Sequence, residues 1–187
     1  MRKTGIIAIK LEKGDLLKKV VKTSGQDEII LTTKSGKSIR FKEQDIRSMG
    51  RSTAGVRGIR LGKGDEVVGM DVIENSKFKI KNSKFYLLVV MDNGYGKRTS
   101  IDQYRIQSRG GSGIKTANIT SKTGNIVLAT ILEDSVTEED LIVISQKGQV
   151  IRTPTRSISV LGRATQGVRI MRLGPGDKVA SGTCLGE

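Results

Sequence analysis

An all-β fold of propeller-like blades is what this 187-residue sequence predicts. Three observations carry the prediction. A unit of about fifty residues recurs along the chain, the apolar runs inside it are short, and glycine is frequent (23) where proline is rare (2). Self-similarity of this period decides architecture before local propensity does, because one unit cannot bury its apolar face alone.

Each unit opens on a glycine. Gly5 opens "GIIAIKLEKGD", Gly55 "GVRGIRLGKGD", Gly113 "GIKTANITSKTGN" and Gly167 "GVRIMRLGPGD", at steps of 50, 58 and 54 residues. A second anchor, a hairpin glycine, recurs as Gly36, Gly94 and Gly148. Four residues after each comes an arginine (Arg40, Arg98, Arg152), and fifteen after each comes another (Arg51, Arg109, Arg163). The register divides the chain into units 5–54, 55–112 and 113–166 and a partial unit 167–187. We read it as one domain of three full repeats and the first half of a fourth.

Within a unit the signals are those of about four short strands. "DEIILT" and "KSIRF" flank one turn, "DLIVIS" and "QVIRT" another. Asn93-Gly94 signals a type I′ hairpin turn, with Ser35-Gly36 and Lys147-Gly148 as weaker versions. "GD" marks the turn into "EVVGMDVI" and again into "KVASGTCL". Long helical periodicity is missing; "EQDIRSM" and "EDSVTEED" read as loop or a single turn. Four short strands in a unit of this length fit a propeller blade.

Composition narrows the function. Thirty-three Lys and Arg stand against 19 Asp and Glu, for a formal charge of +14. Such an excess implies a polyanionic partner, nucleic acid first and an anionic membrane surface second. With no histidine and one cysteine, a structural zinc site and a Ser-His or Cys-His nucleophile pair are excluded, and no metal or cofactor is expected. Three Tyr, three Phe and no Trp argue against stacking platforms for single strands. The glycine-rich loops lack a P-loop pattern. No apolar run approaches a membrane span and no signal peptide precedes the first unit, so we expect a soluble intracellular protein without a membrane partner. Cys184 alone forms no internal disulfide and reads as a small buried apolar residue.

The candidate binding residues follow the repeat. An R-x-x-x-G loop appears at Arg51–Gly55, Arg109–Gly113 and Arg163–Gly167. Glycines there, Gly110, Gly111 and Gly113 in the second copy, let the backbone approach a phosphate, and the arginine adds a permanently charged fork. Two residues past the opening glycine stand Arg57, Lys115 and Arg169; five past stand Lys10, Arg60 and Arg172. Ile7 and Asn118 interrupt this stripe. With Arg40, Arg98 and Arg152 the set predicts sequence-tolerant contacts along a DNA backbone. Solvated strand residues need neither a repeat nor a charge imbalance, which favours the binding reading. The lysine-rich "ENSKFKIKNSK" reads equally as a further contact or a solvated hairpin tip, and the acidic "LEDSVTEED" should face away from DNA. Asp15, Asp65 and Asp177 read as turn residues.

These motifs carry a resemblance. "GRSTAGVRGIRL", "GRATQGVRIMRL", "QSRGGSGIKT" and the "RLxxGDxV" endings resemble the C-terminal domain of the DNA gyrase A subunit, over essentially the whole chain. The resemblance implies a β-pinwheel, in which neighbouring blades exchange strands, and a basic outer rim that bends duplex DNA. Gln107-Ser108-Arg109-Gly110-Gly111-Ser112-Gly113 matches the family's seven-residue box in degenerate form, with serine at both variable basic positions. By resemblance the chain is a non-catalytic, DNA-wrapping accessory domain of an ATP-dependent type II topoisomerase. Its implied partners are double-stranded DNA, the remainder of the gyrase A subunit, and the gyrase B subunit, in a bacterial cytoplasm at the nucleoid. The related domain of topoisomerase IV, and a propeller-type protein-interaction platform, are the alternatives.

Overall fold

The structure is a computed structural model that describes residues 5–78, 84–134 and 139–186. The short β-branched and aliphatic runs form eleven strands. In chain order they are β1 (Glu28–Thr33), β2 (Lys37–Lys42), β3 (Val67–Ile73), β4 (Phe85–Met91), β5 (Tyr95–Ser100) and β6 (Ile114–Lys115). They continue with β7 (Ile126–Glu133), β8 (Asp140–Ser145), β9 (Val150–Pro154), β10 (Val168–Arg169) and β11 (Val179–Leu185). The one α-helical turn is α1 (Asn75–Phe78) among the described residues, and the run "EQDIRSM" holds a single 3-10 turn at Glu43–Asp45. The centre of the lysine-rich loop (79–83) and the centre of the acidic run (135–138) lie outside the described residues.

Three hairpins, β1–β2, β4–β5 and β8–β9, form the spine. Their turns correct the type I′ expectation. The closing bonds run from Gly36 N to Thr33 O (3.1 Å), Gly94 N to Met91 O (2.9 Å) and Gly148 N to Ser145 O (3.0 Å). The glycine is therefore the last residue of a three-residue loop, at φ 86°, 80° and 84°, where a left-handed residue returns the chain to the ladder.

Each hairpin is completed by strands from later units. The first sheet has the order β3-β1-β2-β6, the second β7-β4-β5-β10 and the third β11-β8-β9, all antiparallel. The long strand beside each hairpin comes from the following repeat unit, and the two-residue outer strand from the unit after that. This is the strand exchange expected of a pinwheel, and it spreads every sheet over more than one of the repeat units. The long strand β7 packs against β3 on one side and β11 on the other at the inner edge, so β6 and β10 lie at the outer edge.

The sheets stack face to face. Leu87, Val89 and Met91 of β4 join Ile30 and Ile73 in one core cluster, while Leu88 and Val90 join Leu141 and Val143 in another. A strand in the middle sheet of three is buried on both faces, and this is why β4 reads as the unbroken run "FYLLVVM" rather than an alternation. A third cluster, Ile29, Ile39, Phe41 and Ile59, covers the far face of the first sheet.

Buried cations fasten neighbouring blades together. Arg40 is 6% exposed: its Nε pairs with Glu28 (2.5 Å) and its Nη1 donates to the carbonyls of Ile101 (3.0 Å) and Tyr104 (3.1 Å). Arg98 donates to the carbonyls of Ile158 and Arg156 (2.9 Å each) and lies 5.1 Å from the Tyr86 ring centre. Both grip the segment that crosses from one hairpin to the next blade, and the main chain repeats the grip where Gln107 N donates to Arg40 O and Leu161 N to Arg98 O (2.8 Å each). The expectation that both arginines lie on the DNA-facing surface is corrected; burial and carbonyl ligation give them an interior role. Arg152, the third of the set, is exposed and pairs with Asp140 (2.5 Å).

Lys97 extends the theme. The residue is wholly buried, and its ammonium donates to the Gly162 carbonyl (2.6 Å), the Arg163 carbonyl (2.7 Å) and the Thr165 hydroxyl (3.0 Å). It thus pegs the third R-x-x-x-G loop to β5. Burial, then the charge of Arg163, pushes its pKa down to about 8.

Two outcomes test this architecture. Gly167 and Gly55 share φ 82°, but a Cβ at Gly167 would meet Gly96 O at 2.6 Å, whereas one at Gly55 meets nothing within 4 Å. Gly55→Ala should cost about 1–2 kcal/mol of backbone strain, and Gly167→Ala clearly more, because β10 must move off β5; denaturant midpoints check this, and equal losses would refute the close pairing. The Lys97 pKa lies below the ordinary 10.5, so between pH 8 and 10.5 the unfolded chain binds more protons and stability from this group rises with pH. The wild type should gain on Lys97→Met by up to about 1.4 kcal/mol per pH unit across that window. A gap that stays constant with pH would mean that the ammonium is not perturbed.

Candidate nucleic-acid interface

The outer edge of the sheets is where the repeat leaves its positive charge. β6 pairs with β2 through Lys37↔Lys115 and Ser38↔Ile114, and β10 with β5 through Gly96↔Val168 and Tyr95↔Arg169. In a strand, neighbouring side chains alternate, so the apolar residue after Gly113 and after Gly167 turns inward and the basic one outward. Lys115 and Arg169 are exposed accordingly, as is Arg57 at the same position of the second unit. Arg60 and Arg172, five residues past their glycines, are exposed as well. Asn118, in the corresponding place of the third unit, instead accepts a hydrogen bond from the Lys115 ammonium (2.8 Å). Among the described residues, no carboxylate pairs with Arg57, Arg60, Lys115, Arg169 or Arg172.

The R-x-x-x-G loops are built differently from the sequence expectation. Their arginines spend part of their donor set on the protein. Arg109 donates from Nε to Asp45 O (2.8 Å) and from Nη1 to Arg57 O (3.2 Å), and Arg163 donates from Nη1 to Lys115 O (3.0 Å). Each clamps its loop onto the opening segment of its own unit, at the carbonyl of the exposed rim cation. Both remain half-exposed, so charge is still presented to solvent. Arg51 is exposed on the first such loop.

The glycines of the degenerate box serve the chain. Gly110 N donates to Gly58 O (2.6 Å), and Gly111 O accepts from Arg60 N (2.8 Å). At Gly113 a Cβ would lie 2.7 Å from Ser38 O, so the β6–β2 pairing requires its absence. Ser108 and Ser112, the two variable box positions, are exposed, and Gln107 lies behind them with its main-chain N–H donating to Arg40 O.

Two rim residues escape the sequence reading. Tyr95 begins β5 beside Arg169, whose guanidinium donates to the Tyr95 hydroxyl (3.0 Å) and holds the phenol pKa below its usual value. Lys122 also stands over this ring, 5.5 Å from its centre. The tyrosine sits one residue beyond the hairpin glycine, where the first and third hairpins carry Lys37 and Gln149. That departure from the repeat is the available signal.

The described residues offer little for chemistry. No three His, Cys, Asp or Glu side chains converge on a metal-sized site among them. Asp65 and Asp177 accept main-chain bonds in turns, from Ser35 N (2.9 Å) and Lys147 N (3.1 Å) respectively. Cys184 packs against the core, and burial pushes its thiol up to about 12, out of the nucleophilic range. No helix among the described residues is long and apolar enough to cross a membrane.

Comparison with known proteins agrees with this arrangement. The family model described as "DNA gyrase C-terminal domain, beta-propeller" matches residues 1–24, 27–74, 86–132 and 139–184. The DNA gyrase A subunit of Staphylococcus epidermidis is 45% identical over 181 residues, 97% of this chain and 19% of that protein. Its Staphylococcus aureus counterpart is 46% identical over 174 residues, 93% of this chain and 19% of that protein. The chain thus spans about a fifth of the length of these relatives. A solved DNA gyrase A C-terminal domain superposes with a TM-score of 0.79 at 27% identity, over 96% of this chain and 58% of that one. The C-terminal domain of a DNA topoisomerase IV shares the fold, with a TM-score of 0.85 at 20% identity, over 96% of this chain and 53% of that one. With the family model covering four stretches of the chain in the order of its repeats, the chain belongs to the DNA gyrase C-terminal domain family, the β-pinwheel of the A subunit.

Proposed function

We propose that this chain is a DNA-binding accessory module of a type II topoisomerase, the part of a gyrase A subunit that bends a duplex along its rim. The observation that carries the reading is the outward row of cations on the opening segments, Arg57, Arg60, Lys115, Arg169 and Arg172, free of carboxylate partners among the described residues. Arg51, Arg109 and Arg163 add charge from the clamped loops. Backbone phosphates are the target this row suits. Its spacing follows the blades rather than any base sequence, and a rigid arc of cations favours a bent duplex over a straight one.

The module supplies no bond-making step. It would present DNA to a strand-passage core carried by the gyrase B subunit together with the rest of the A subunit, in the bacterial cytoplasm. Arg40 and Arg98 have no place in the contact set, because their guanidinium groups are spent inside the fold.

Salt dependence tests the reading. Replacing Arg57, Lys115, Arg169 and Arg172 together by serine removes four phosphate contacts. The slope of log affinity against log salt should become less steep by roughly 3–4, at about 0.9 per contact. An unchanged slope with the fold intact would remove the rim from the interface. Ligating a nicked plasmid in the presence of the chain should shift the linking number if the rim also wraps with a hand; binding without a shift would restrict it to bending.

A further inference from the structure

The second sheet places an aromatic residue, Tyr95, one past the hairpin glycine, where the other two hairpins carry Lys37 and Gln149. An open cleft of about 480 Å³ lies at the outer edge, lined by Tyr95, Lys122, Arg169, Arg172 and Asp177 among others. Three chain segments meet there: the tip of the β4–β5 hairpin, the turn at 121–122 and the opening segment of the last unit. The meeting is fixed by hydrogen bonds. The Asn93 side-chain amide donates to the carbonyls of Ser121 (2.9 Å) and Lys122 (3.2 Å), and Ile170 N donates to Gly94 O (2.8 Å).

The cleft gathers positive charge around one ring. Tyr95 is 8% exposed and two cations stand over its ring, the Lys122 ammonium and the Arg169 guanidinium each 5.5 Å from its centre. The Arg169 bond to the phenol oxygen fixes the guanidinium fork in one orientation. Arg172 brings a third positive charge, exposed to solvent. One carboxylate lines the same cleft, Asp177, and it is already committed: its Oδ1 accepts from Lys147 N (3.1 Å) and Lys178 N (2.8 Å). Three cations therefore face the opening against one engaged anion.

The repeat shows that this is no general consequence of the fold. In the first sheet Lys37 stands for Tyr95, Lys115 for Arg169 and Asn118 for Arg172, while Lys63, four residues before β3 as Lys122 is before β7, keeps the lysine. There the rim lysine is turned onto the asparagine, and no aromatic ring orders the cations.

We propose that this cleft seats a phosphodiester group of the duplex, with Lys122, Arg169 and Arg172 as the anion ligands and Tyr95 as the residue that positions Arg169. The inference rests on the rim reading and adds two residues to it, Tyr95 and Lys122. Planar guanidinium forks suit the tetrahedral oxygens of a phosphate, and the cleft is continuous with the row of rim cations. A free phosphate shares this chemistry and is the other source to separate.

The test compares Lys122→Met, Tyr95→Phe and Arg57→Ser in the full chain, with a duplex as probe and inorganic phosphate as a second probe. Lys122 is exposed, and Phe keeps the Tyr95 ring, so all three should fold. Lys122→Met should shrink the affinity lost between 50 and 200 mM salt by about 3- to 4-fold, the share of one contact. Tyr95→Phe should weaken duplex binding several-fold with the slope unchanged, because no charge is lost. If Arg57→Ser flattens the slope and the two cleft variants behave as wild type, the seat is refuted and the rim stands. If none of the three responds, the rim reading itself falls. Saturable inorganic phosphate binding lost in Lys122→Met, with no change toward the duplex, would assign the cleft to a free anion and overturn the proposal as well.

Discussion

A sheet that must borrow its outer strand is the constraint on which everything else in this chain depends. The second strand of a hairpin has an open edge, and an open edge is a template for wrong partners. Here the edge is closed by a two-residue strand, β6 on β2 and β10 on β5, and by one parallel bridge on each, Ile106 at Arg40 and Val160 at Arg98. So short a strand has almost no pairing energy of its own. It stays because glycine lets it come close, because a clamped loop precedes it, and because the next blade packs behind it. Burial follows that coverage. β2 and β5 are buried along most of their length, whereas β9, with no outer strand among the described residues, alternates between exposed and half-buried. No blade is complete without its neighbours, which is the behaviour of a repeat array rather than of independent modules.

The same constraint sorts the cations. Arginine and lysine occur at fixed places in the repeat, and their fate depends on which side of the hairpin those places fall. On the second hairpin strand, Arg40, Arg98 and Lys97 point into the seam between blades. There each finds backbone carbonyls, and a carbonyl cage is what makes a buried cation tolerable. On the borrowed strand, Lys115 and Arg169 point away from the sheet and find solvent. The arginines of the loops do both. Arg109 and Arg163 bond the carbonyl of a rim residue while keeping part of the guanidinium outside. This makes the rim rigid, since the charged residue is held through its own backbone.

Much of this is legible in the sequence. The opening and hairpin glycines mark the repeat length, and the short β-branched runs mark the strands. The basic residues two past Gly113 and Gly167 mark the outer edge, because alternation along even a two-residue strand is enough to send them outward. What stays hidden is everything that depends on a partner far along the chain. Arg40 and Arg98 look like surface residues of an exposed strand until the crossing segments, 101–107 and 155–161, are laid over them. Lys97 replaces the isoleucines found at Ile39 and Ile151, and nothing local says that a loop carbonyl cage awaits it. The hairpin turns differ by one residue from the expectation, since Asn-Gly fits a two-residue turn and only the ladder register shows three. Tyr95 is visible as a break in the repeat, but its two neighbouring cations come from other units.

Where the charge finally sits also explains why a polyanion suits the fold. The formal excess of +14 is not spread evenly. Buried cations are matched inside, by Glu28 at Arg40 and by carbonyls at Arg98 and Lys97, and they contribute little field outside. Of the cations without a carboxylate partner among the described residues, Lys115 and Arg169 are held at blade spacing by strands that cannot shift without opening the sheets. Like charges fixed in a row repel one another, and the chain cannot relieve that repulsion by moving them. A polyanion laid along the row relieves it, so association at the rim and stability of the outer strands are linked. The strands that are weakest in pairing are thus the ones a bound phosphate backbone would hold in place.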